Sequence, residues 1–248
     1  SALWGNTTAS NNTAVGSGSL YANTTGDSNV AIGKDAVGDN TTGSQNTGIG
    51  FNALPSNTTG TNNTSIGYNT AFGNTTGGYN IAIGYQCLYA NSTGSYNIAI
   101  GKSALGSNTA SNNIGIGYRA LYVNTSGVRN VALGYDSLRT NITGTDNTGV
   151  GDLALQYATG SENTAVGSQA LYSTTTGLYN VSVGRGTLRG NTTGSKNVGL
   201  GSGALLGNTT ASENVAVGYN ALTANNGIQN TAVGFEALKT NTSGGSLT

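Results

Sequence analysis

The stretch Asn80-Ile81-Ala82-Ile83-Gly84 returns, with small changes, about every 17 residues along this chain of 248 residues. Each copy opens on an asparagine, and these anchor asparagines are Asn12, Asn29, Asn46, Asn63, Asn80, Asn97, Asn113, Asn130, Asn147, Asn163, Asn180, Asn197, Asn214 and Asn230. A fixed period of this size is typical of a solenoid, in which every repeat stacks on the next one. The function of such a chain is expected to depend on its shape and surface and not on an enclosed pocket.

Counted from the anchor asparagine, positions two to five of each repeat carry the pattern of a short strand. Position two is Thr, Val or Ile, position three is Ala, Gly or Ser, position four is Val, Ile or Leu, and position five is Gly. Because side chains alternate along a strand, positions two and four are predicted to share one face and position three the other. In the three repeats of 16 residues, which open at Asn97, Asn147 and Asn214, the deletion falls after position nine. A turn is expected there, because loops tolerate deletions better than strands do.

A second apolar element and a turn complete each repeat. Position eight is small, and position nine is Leu in all copies except those with Val37 and Ala71. We predict a second short strand here, followed by an Asn-Thr-Thr-Gly turn such as that at 57–60. Each rung is then expected to bury one Val or Ile and one Leu in a thin core. The uniformly small position three is interpreted as a place where another chain approaches closely.

Two sets of side chains are candidates for recurring roles. The anchor asparagines are expected to form hydrogen-bonded amide ladders from rung to rung, with a ligand-binding row as the alternative. Aromatic residues at position six either stack on sugar rings or pack against neighbouring rungs and chains. The candidate surface-binding aromatics are Tyr68, Tyr85, Tyr118, Tyr135 and Tyr219.

The composition gives little support to catalysis or metal binding. The chain has no His and only nine acidic residues, so His-based triads and the usual zinc sites are excluded. The pairs Asp35/Asp39 and Asp146/Asp152 are interpreted as chance neighbours, with a weak cation site as the alternative. Gly101-Lys102-Ser103 is similar to part of a phosphate loop, but Gly recurs at position five of every repeat, so coincidence is the better interpretation. We expect no catalytic residue, no cofactor or metal site, and no enzyme.

Charge and hydropathy limit the partners in the same way. Nine Lys and Arg residues balance nine Asp and Glu residues, so no basic surface is expected to attract nucleic acid or anionic lipid. The sequence has no run of about 18 apolar residues, so membrane insertion is not expected. Cys87, the single cysteine, occupies the small position eight and is interpreted as a buried thiol. Sequons such as that at Asn57 are interpreted as a by-product of the turns.

The fold class predicted from these patterns is all-β, a parallel β-solenoid of about 14 rungs with a 17-residue repeat. One continuous array is expected over residues 1–246, with a partial repeat at 1–11 and fourteen repeats at 12–246. Residues 247–248 are interpreted as the start of a linker, because Leu247 stands where the next anchor asparagine is due.

The phrases Asn12-Thr13-Ala14-Val15-Gly16 and Asn29-Val30-Ala31-Ile32-Gly33, together with Tyr219-Asn220-Ala221-Leu222, carry a family resemblance. The chain resembles the head repeats of trimeric autotransporter adhesins (YadA-like) and, more closely, the repeat region of phage tail-fibre-like proteins. The resemblance implies a left-handed β-roll assembled as a homotrimer. It also implies an extracellular location, on a virion tail fibre or a cell surface, and a host-cell glycan or protein receptor as partner.

Three functions are compatible with the sequence. The first is a structural and adhesive fibre shaft that presents a tip or contributes to attachment. The second is an ice-binding or other flat-surface-binding solenoid, in which the Thr-Thr pairs of stacked turns would form a hydroxyl grid. The third is a polysaccharide depolymerase, against which stands the lack of a recurrent carboxylate pair.

Overall fold

The computed structural model describes residues 1–247 and shows an all-β chain, a parallel β-solenoid built on the 17-residue repeat. The predicted fold class is therefore confirmed. The described residues contain no helix, and the strands are β1 (Thr13–Val15), β2 (Val30–Ile32), β3 (Thr47–Ile49), β4 (Thr64–Ile66), β5 (Ile81–Ile83), β6 (Ile98–Ile100), β7 (Ile114–Ile116), β8 (Val131–Leu133), β9 (Thr148–Val150), β10 (Thr164–Val166), β11 (Val181–Val183), β12 (Val198–Leu200), β13 (Val215–Val217) and β14 (Thr231–Val233). They fall into two compact units, Ser1–Ser126 with β1 to β7 and a second unit that begins at Gly127 and holds β8 to β14.

Within each unit, every strand pairs in parallel with the next strand along the chain, and the register is one repeat. In the first unit, for example, Ile81 lies opposite Ile98, and Ile83 lies opposite Ile100. Equivalent residues of successive repeats thus lie side by side. We call the residues that share one repeat position in successive rungs a column and number columns from the anchor asparagine. A column repeats the same side-chain environment at every rung.

The face of each strand that points inward is not the one expected from the larger side chains. The middle residue, in column three, is buried in β2 to β14, whereas the residues in columns two and four are half-buried or exposed. The interpretation of column three as an interchain contact is therefore wrong. A Cβ added at Gly115 would lie 2.9 Å from the carbonyl oxygen of Ala120 and 3.1 Å from Cγ of Leu105. Small residues recur in column three because the interior of the coil is too narrow for larger ones.

The core differs from the predicted one for the same reason. It consists of the Leu column at position nine together with the small residues of columns three and eight, as in the fully buried Leu88, Leu105, Ala99 and Ala104. The Val and Ile residues of columns two and four lie outside it. The expectation of one buried Val or Ile per rung is thus corrected, and the strands turn an aliphatic face to the solvent.

The second apolar element is a turn and not the predicted strand. In column nine all residues have φ between +45° and +56°, a left-handed conformation that a strand does not contain. For a residue other than Gly this conformation costs about 1–2 kcal/mol. Burying a Leu side chain contributes about 1.5–3 kcal/mol, which offsets that cost at residues such as Leu88. The alternation that suggested a strand is produced instead by a tight corner that points one Leu inward.

The glycine of column five is required by the stacking of the rungs. At Gly67 φ is +133°, and an added Cβ would collide with the backbone carbonyl of Gly84 in the next rung. No side chain fits at this corner, because the neighbouring backbone occupies the position that a Cβ would take. The recurrence of Gly at position five follows from close packing and does not indicate a phosphate-binding loop.

Hydrogen bonds maintain the array both in a shortened repeat and at its C-terminal end. In the 16-residue repeat that opens at Asn97, the amide nitrogen Nδ2 of Asn97 donates to the carbonyl of Ala110, 2.9 Å away, so the shortened turn keeps its hydrogen bond. At the other end, the N–H of Leu247 donates to Oδ1 of Asn230 at 3.0 Å, and the Leu247 carbonyl accepts a bond from the Thr231 N–H at 2.7 Å. Leu247 therefore keeps the backbone register of an anchor residue, and Thr248 lies outside the described residues.

Candidate functional site

The anchor asparagines lie inside the coil, where their side chains join successive rungs. Oδ1 of Asn29 accepts a hydrogen bond from the backbone N–H of Asn46 at 2.9 Å. Nδ2 of Asn46 donates to the carbonyl of Gly60, 2.9 Å away across the turn of the same rung. Both side chains are fully buried. With both ends of the amide engaged inside the coil, these side chains hold the strand start to the turn and are not presented to a ligand.

A second buried asparagine row, in column twelve, was missed by the sequence analysis. Nδ2 of Asn57 donates to Oδ1 of Asn40 at 2.8 Å, and Nδ2 of Asn74 donates to Oδ1 of Asn57 at 2.9 Å. The same nitrogens also bond to the Gly carbonyls of their own turns. The signal was the recurring Asn that opens each Asn-Thr-Thr-Gly turn, which was interpreted as turn chemistry and as a source of sequons. Because these sequon asparagines are buried in the fold, their amides are not accessible as glycan acceptors there.

Column six forms an aromatic surface row in the first unit. The rings of Phe51, Tyr68 and Tyr85 stack in sequence, with 5.3 Å between successive centroids and interplanar angles of 10° and 6°. Lysine ammonium groups lie over both ends of the stack, Lys34 at 5.2 Å from the Phe51 ring and Lys102 at 5.6 Å from the Tyr85 ring. The candidate aromatics Tyr68 and Tyr85 are thus stacked on each other, with almost half of each residue exposed.

The remaining candidate aromatics lie in less regular surroundings. Tyr118 is half-buried, with the guanidinium of Arg119 4.6 Å and the ammonium of Lys102 5.9 Å from its ring centroid. In the second unit, Tyr219 stacks on Phe235 at 5.5 Å, and Tyr135 is exposed. Among residues 1–247, three successive rungs with stacked rings in this column occur in the first unit only.

The threonine pairs of the turns, which the ice-binding hypothesis needs as a hydroxyl grid, differ between their two columns. In column thirteen the hydroxyls are used inside the array, as where Oγ1 of Thr41 donates to the Thr58 carbonyl at 3.0 Å and Oγ1 of Thr58 to the Thr75 carbonyl at 3.0 Å. The threonines of column fourteen, such as Thr59 and Thr76, are exposed. Column thirteen is half-buried at residues such as Thr58 but exposed at Thr175 and Thr209 of the second unit, so the exposure of the pair varies from rung to rung.

The ionisable groups are scattered, as their sequence positions suggest. Arg129 pairs with Asp146 in a two-bond contact of 2.6 and 2.7 Å, and hydrogen bonding to the guanidinium lowers the pKa of the Asp146 carboxyl. Asp146 thus pairs with Arg129 and not with Asp152, its candidate neighbour from the sequence. Lys102 lies over tyrosine rings and not in a phosphate cradle. Burial raises the pKa of the Cys87 thiol to about 12, so the thiolate that reacts with electrophiles is scarce.

Residues 1–247 include no cluster of three or more His, Cys, Asp or Glu side chains that could hold a metal ion. The same residues include no helix long and apolar enough to cross a membrane.

Comparison of the chain with family models, with curated proteins and with solved structures gives no match. The candidate surfaces of the chain are therefore defined by its own columns. They are the aliphatic strand face, the aromatic row and the grooves between the outer columns.

Proposed function

We propose that this chain is a non-enzymatic shaft segment of an extracellular fibre, on a virion or a cell surface, and that it assembles as a homotrimer and contributes to attachment. The observation that carries the proposal is the aliphatic strand face. Columns two and four place two mostly aliphatic side chains per rung on the outside of the coil. Exposed examples are Val15, Ile32, Ile81, Val166, Val181, Val198, Leu200 and Val233.

An exposed aliphatic face of this regularity is unfavourable for an isolated chain. Monomeric soluble proteins rarely expose large contiguous apolar patches, and larger ones mark surfaces of association. Covering the exposed half of one such side chain contributes roughly 1 kcal/mol, and the contribution recurs at every rung. A second and a third copy of the same chain present the same spacing, so identical columns can pack against each other along their length.

The interior supports the same proposal. Because the small residues of column three fill the inner side of the strand, the core of one coil has little apolar volume of its own. Association through columns two and four adds a second apolar layer on the outer side of the strands. The ladders and stacked turns supply stiffness along the coil, which suits a part that spaces or presents an attachment site.

The experiment places charge on the proposed interface and measures the mass in solution. Ile83→Lys combined with Ile100→Lys puts two ammonium groups on the strand face, and Thr76→Lys combined with Thr93→Lys puts the same charges on the exposed column fourteen as a control. Sedimentation equilibrium is expected to give a trimer for the control and a mass near 24.7 kDa for the face variant. A face variant that keeps the trimer mass would refute association through this surface.

The alternative of an ice-binding or other flat-surface-binding solenoid is not favoured by a specific observation. Position two of the flat strand face is Thr in some rungs, such as Thr47 and Thr64, but Ile or Val in others, such as Ile81 and Ile98. A regular hydroxyl lattice is therefore interrupted on the strands as well. Measured thermal hysteresis would favour this alternative over the fibre proposal.

A further inference from the structure

Three grooves among residues 1–247 are each lined by a glycine of column seven or column ten. One groove, of about 480 Å³, lies in the first unit where Gly18 interrupts column seven and Gly38 interrupts column ten. A groove of about 280 Å³ lies at Gly106, also in column ten. In the second unit, a groove of about 220 Å³ is lined by Gly186 and Gly203 of column seven. Each of these grooves therefore lies where a glycine replaces a larger residue of its column.

Among the described glycines of column ten, Gly38 is the one at which a side chain could begin without a clash. A Cβ added at Gly106 would lie 2.6 Å from Cε2 of Tyr122, so the neighbouring ring already leans into that space. A Cβ added at Gly38 would meet nothing closer than 3.4 Å. Gly38 also lacks the positive φ that would require a glycine. Neither the backbone conformation nor local packing therefore explains the missing side chain.

The slot has the thickness of one six-membered ring. In the first unit, column ten holds two stacked pairs of rings, with Trp4 and Tyr21 5.3 Å apart and 7° from parallel, and Phe72 and Tyr89 5.1 Å apart and 10° from parallel. Pro55 holds the position in the rung after Gly38. Since successive rungs are about 4.8 Å apart, the rings of Tyr21 and Pro55 are separated by roughly 9–10 Å. A ring between them needs carbon contacts of about 3.5–4 Å on each side, which this distance allows.

Polar groups suited to hydroxyl ligands surround the slot. The groove is lined by the carboxylates of Asp35 and Asp39 and by the hydroxyls of Ser17 and Ser56, with Asn52 beside them. Carboxylates accept hydrogen bonds from hydroxyl groups, while serine hydroxyls both donate and accept. Lys34 pairs with Asp35 at 3.3 Å, which leaves Asp39 as an exposed carboxylate without a described ion pair. A neutral ligand with an apolar ring face and hydroxyls at its edge fits this surface, and an anionic one is repelled.

From these observations we propose that the groove at Gly38 binds one neutral hexopyranose unit of a glycan. The sugar ring is sandwiched between Tyr21 and Pro55, and Asp39 and Asp35 accept hydrogen bonds from its hydroxyls. The site uses columns seven, ten and eleven and not the aliphatic strand face, so it does not depend on the trimer. Loss of sugar binding and loss of trimer assembly are therefore separate results.

The test uses methyl glycosides of glucose, galactose, mannose and N-acetylglucosamine as probes, with N-acetylneuraminic acid as the anionic probe and Ca²⁺ alone as the cation probe. Saturation-transfer NMR and titration of the intact chain are expected to show millimolar binding of at least one neutral glycoside, which is an affinity of about −4 kcal/mol. Binding of none of the neutral glycosides, or binding of Ca²⁺ or the anionic sugar alone, would overturn the proposal.

The decisive variant is Gly38→Tyr, which fills the slot with the ring that the column lacks. Its neighbours in column ten already carry rings, and a Cβ at Gly38 would make only ordinary contacts of 3.4–3.7 Å, so the fold is expected to persist with an unchanged circular dichroism spectrum. Sugar binding is expected to vanish. Thr59→Tyr adds the same ring to the exposed column fourteen and should leave binding unchanged, while Asp39→Asn should weaken it at least tenfold. Undiminished binding by Gly38→Tyr would show that the sugar binds elsewhere and would refute the site.

Discussion

Replacing an anchor asparagine in the middle of the first unit tests whether the buried ladder holds the rungs together. The Asn63 side chain makes three hydrogen bonds. Its Oδ1 accepts from the Asn80 N–H at 3.0 Å, and its Nδ2 donates to the Gly77 carbonyl at 2.8 Å and to Oδ1 of Asn46 at 3.1 Å. Asn63→Ala removes all three at a site where Asn63 and Asn80 are each only 2% exposed.

The three losses are unequal. The Gly77 carbonyl keeps a bond from Nδ2 of Asn74 at 3.0 Å, and Oδ1 of Asn46 keeps the Asn63 N–H at 3.0 Å. The Asn80 N–H is left buried without the partner that the Asn63 side chain supplied, which costs about 1–3 kcal/mol, and each other bond contributes about 1 kcal/mol. The free energy of unfolding is therefore expected to fall by roughly 3–5 kcal/mol.

Two measurements check this expectation at neutral pH and one protein concentration. Urea denaturation gives the stability, and amide hydrogen exchange reports whether the Asn80 N–H loses its protection. Thr59→Ala removes an exposed hydroxyl from the same turn region and should change stability by less than about 0.5 kcal/mol. If Asn63→Ala matched this control and the Asn80 amide stayed protected, the ladder would not have the role described above.

A companion variant, Asn63→Asp, separates the lost donor from the lost volume. A carboxylate still accepts from the Asn80 N–H but cannot donate to the Gly77 carbonyl, and burial raises its pKa above the ordinary value of about 3.9. The pKa of this new carboxyl is then higher in the folded chain than in the unfolded chain. The variant is therefore closest in stability to the original protein below the unfolded-state pKa, and it loses that stability as the pH rises through the folded-state pKa. A variant whose stability deficit was independent of pH would contradict this reasoning.

Three further predictions concern individual residues. Gly67→Ala should destabilise the chain by about 1–3 kcal/mol or more, whereas Gly38→Ala, where a Cβ makes only ordinary contacts, should change stability by less than about 1 kcal/mol; equal effects in urea denaturation would contradict the account of column five. Cys87 should react with iodoacetamide in the unfolded chain but not in the folded chain near pH 8, because burial raises its pKa to about 12; rapid labelling of the native chain would show that the thiol is accessible. The Asp146 carboxyl should titrate below its ordinary pKa in NMR, and Arg129→Ala should raise that pKa. Because the pKa of Asp146 is lower in the folded chain than in the unfolded chain, any stabilisation by the pair is present above the unfolded-state pKa. That stabilisation is lost as the pH falls through the folded-state pKa.

The periodic part of the fold could be predicted from the sequence because it depends on local repetition. A residue triplet such as Ile81-Ala82-Ile83, returning at one spacing, predicts parallel strands in register, and the structure confirms them. The 16-residue repeats located the turn correctly, since the shortened turn at Ala110 keeps the Asn97 hydrogen bond. These inferences need only the distance between equivalent residues along the chain.

The direction of the side chains could not be predicted in the same way. Alternation assigns Ile81 and Ile83 to one face and Ala82 to the other, but which face is inside depends on the width of the coil. That width is set by the Leu column, whose residues reach inward from a left-handed corner, as Leu88 does at a φ of +51°. Composition gives no sign that a Leu column adopts such a conformation, so the second apolar element was predicted as a strand.

The surface features were partly visible in the sequence. The aromatic residues Tyr68 and Tyr85 could be placed in one column, but their stacking at 5.3 Å and the lysines over the ends of the row needed coordinates. The groove at Gly38 could not be found from the sequence, because a glycine in an irregular column is not distinguishable from a glycine in a turn. Its character depends on the space that neighbouring side chains leave open.

The central claim is that the aliphatic strand face is covered by further copies of the same chain. The most direct measurement is the native mass of the unmodified chain by multi-angle light scattering across a dilution series. The account predicts three times 24.7 kDa, stable on dilution. A folded monomer of 24.7 kDa that remains soluble with its strand face exposed would contradict it.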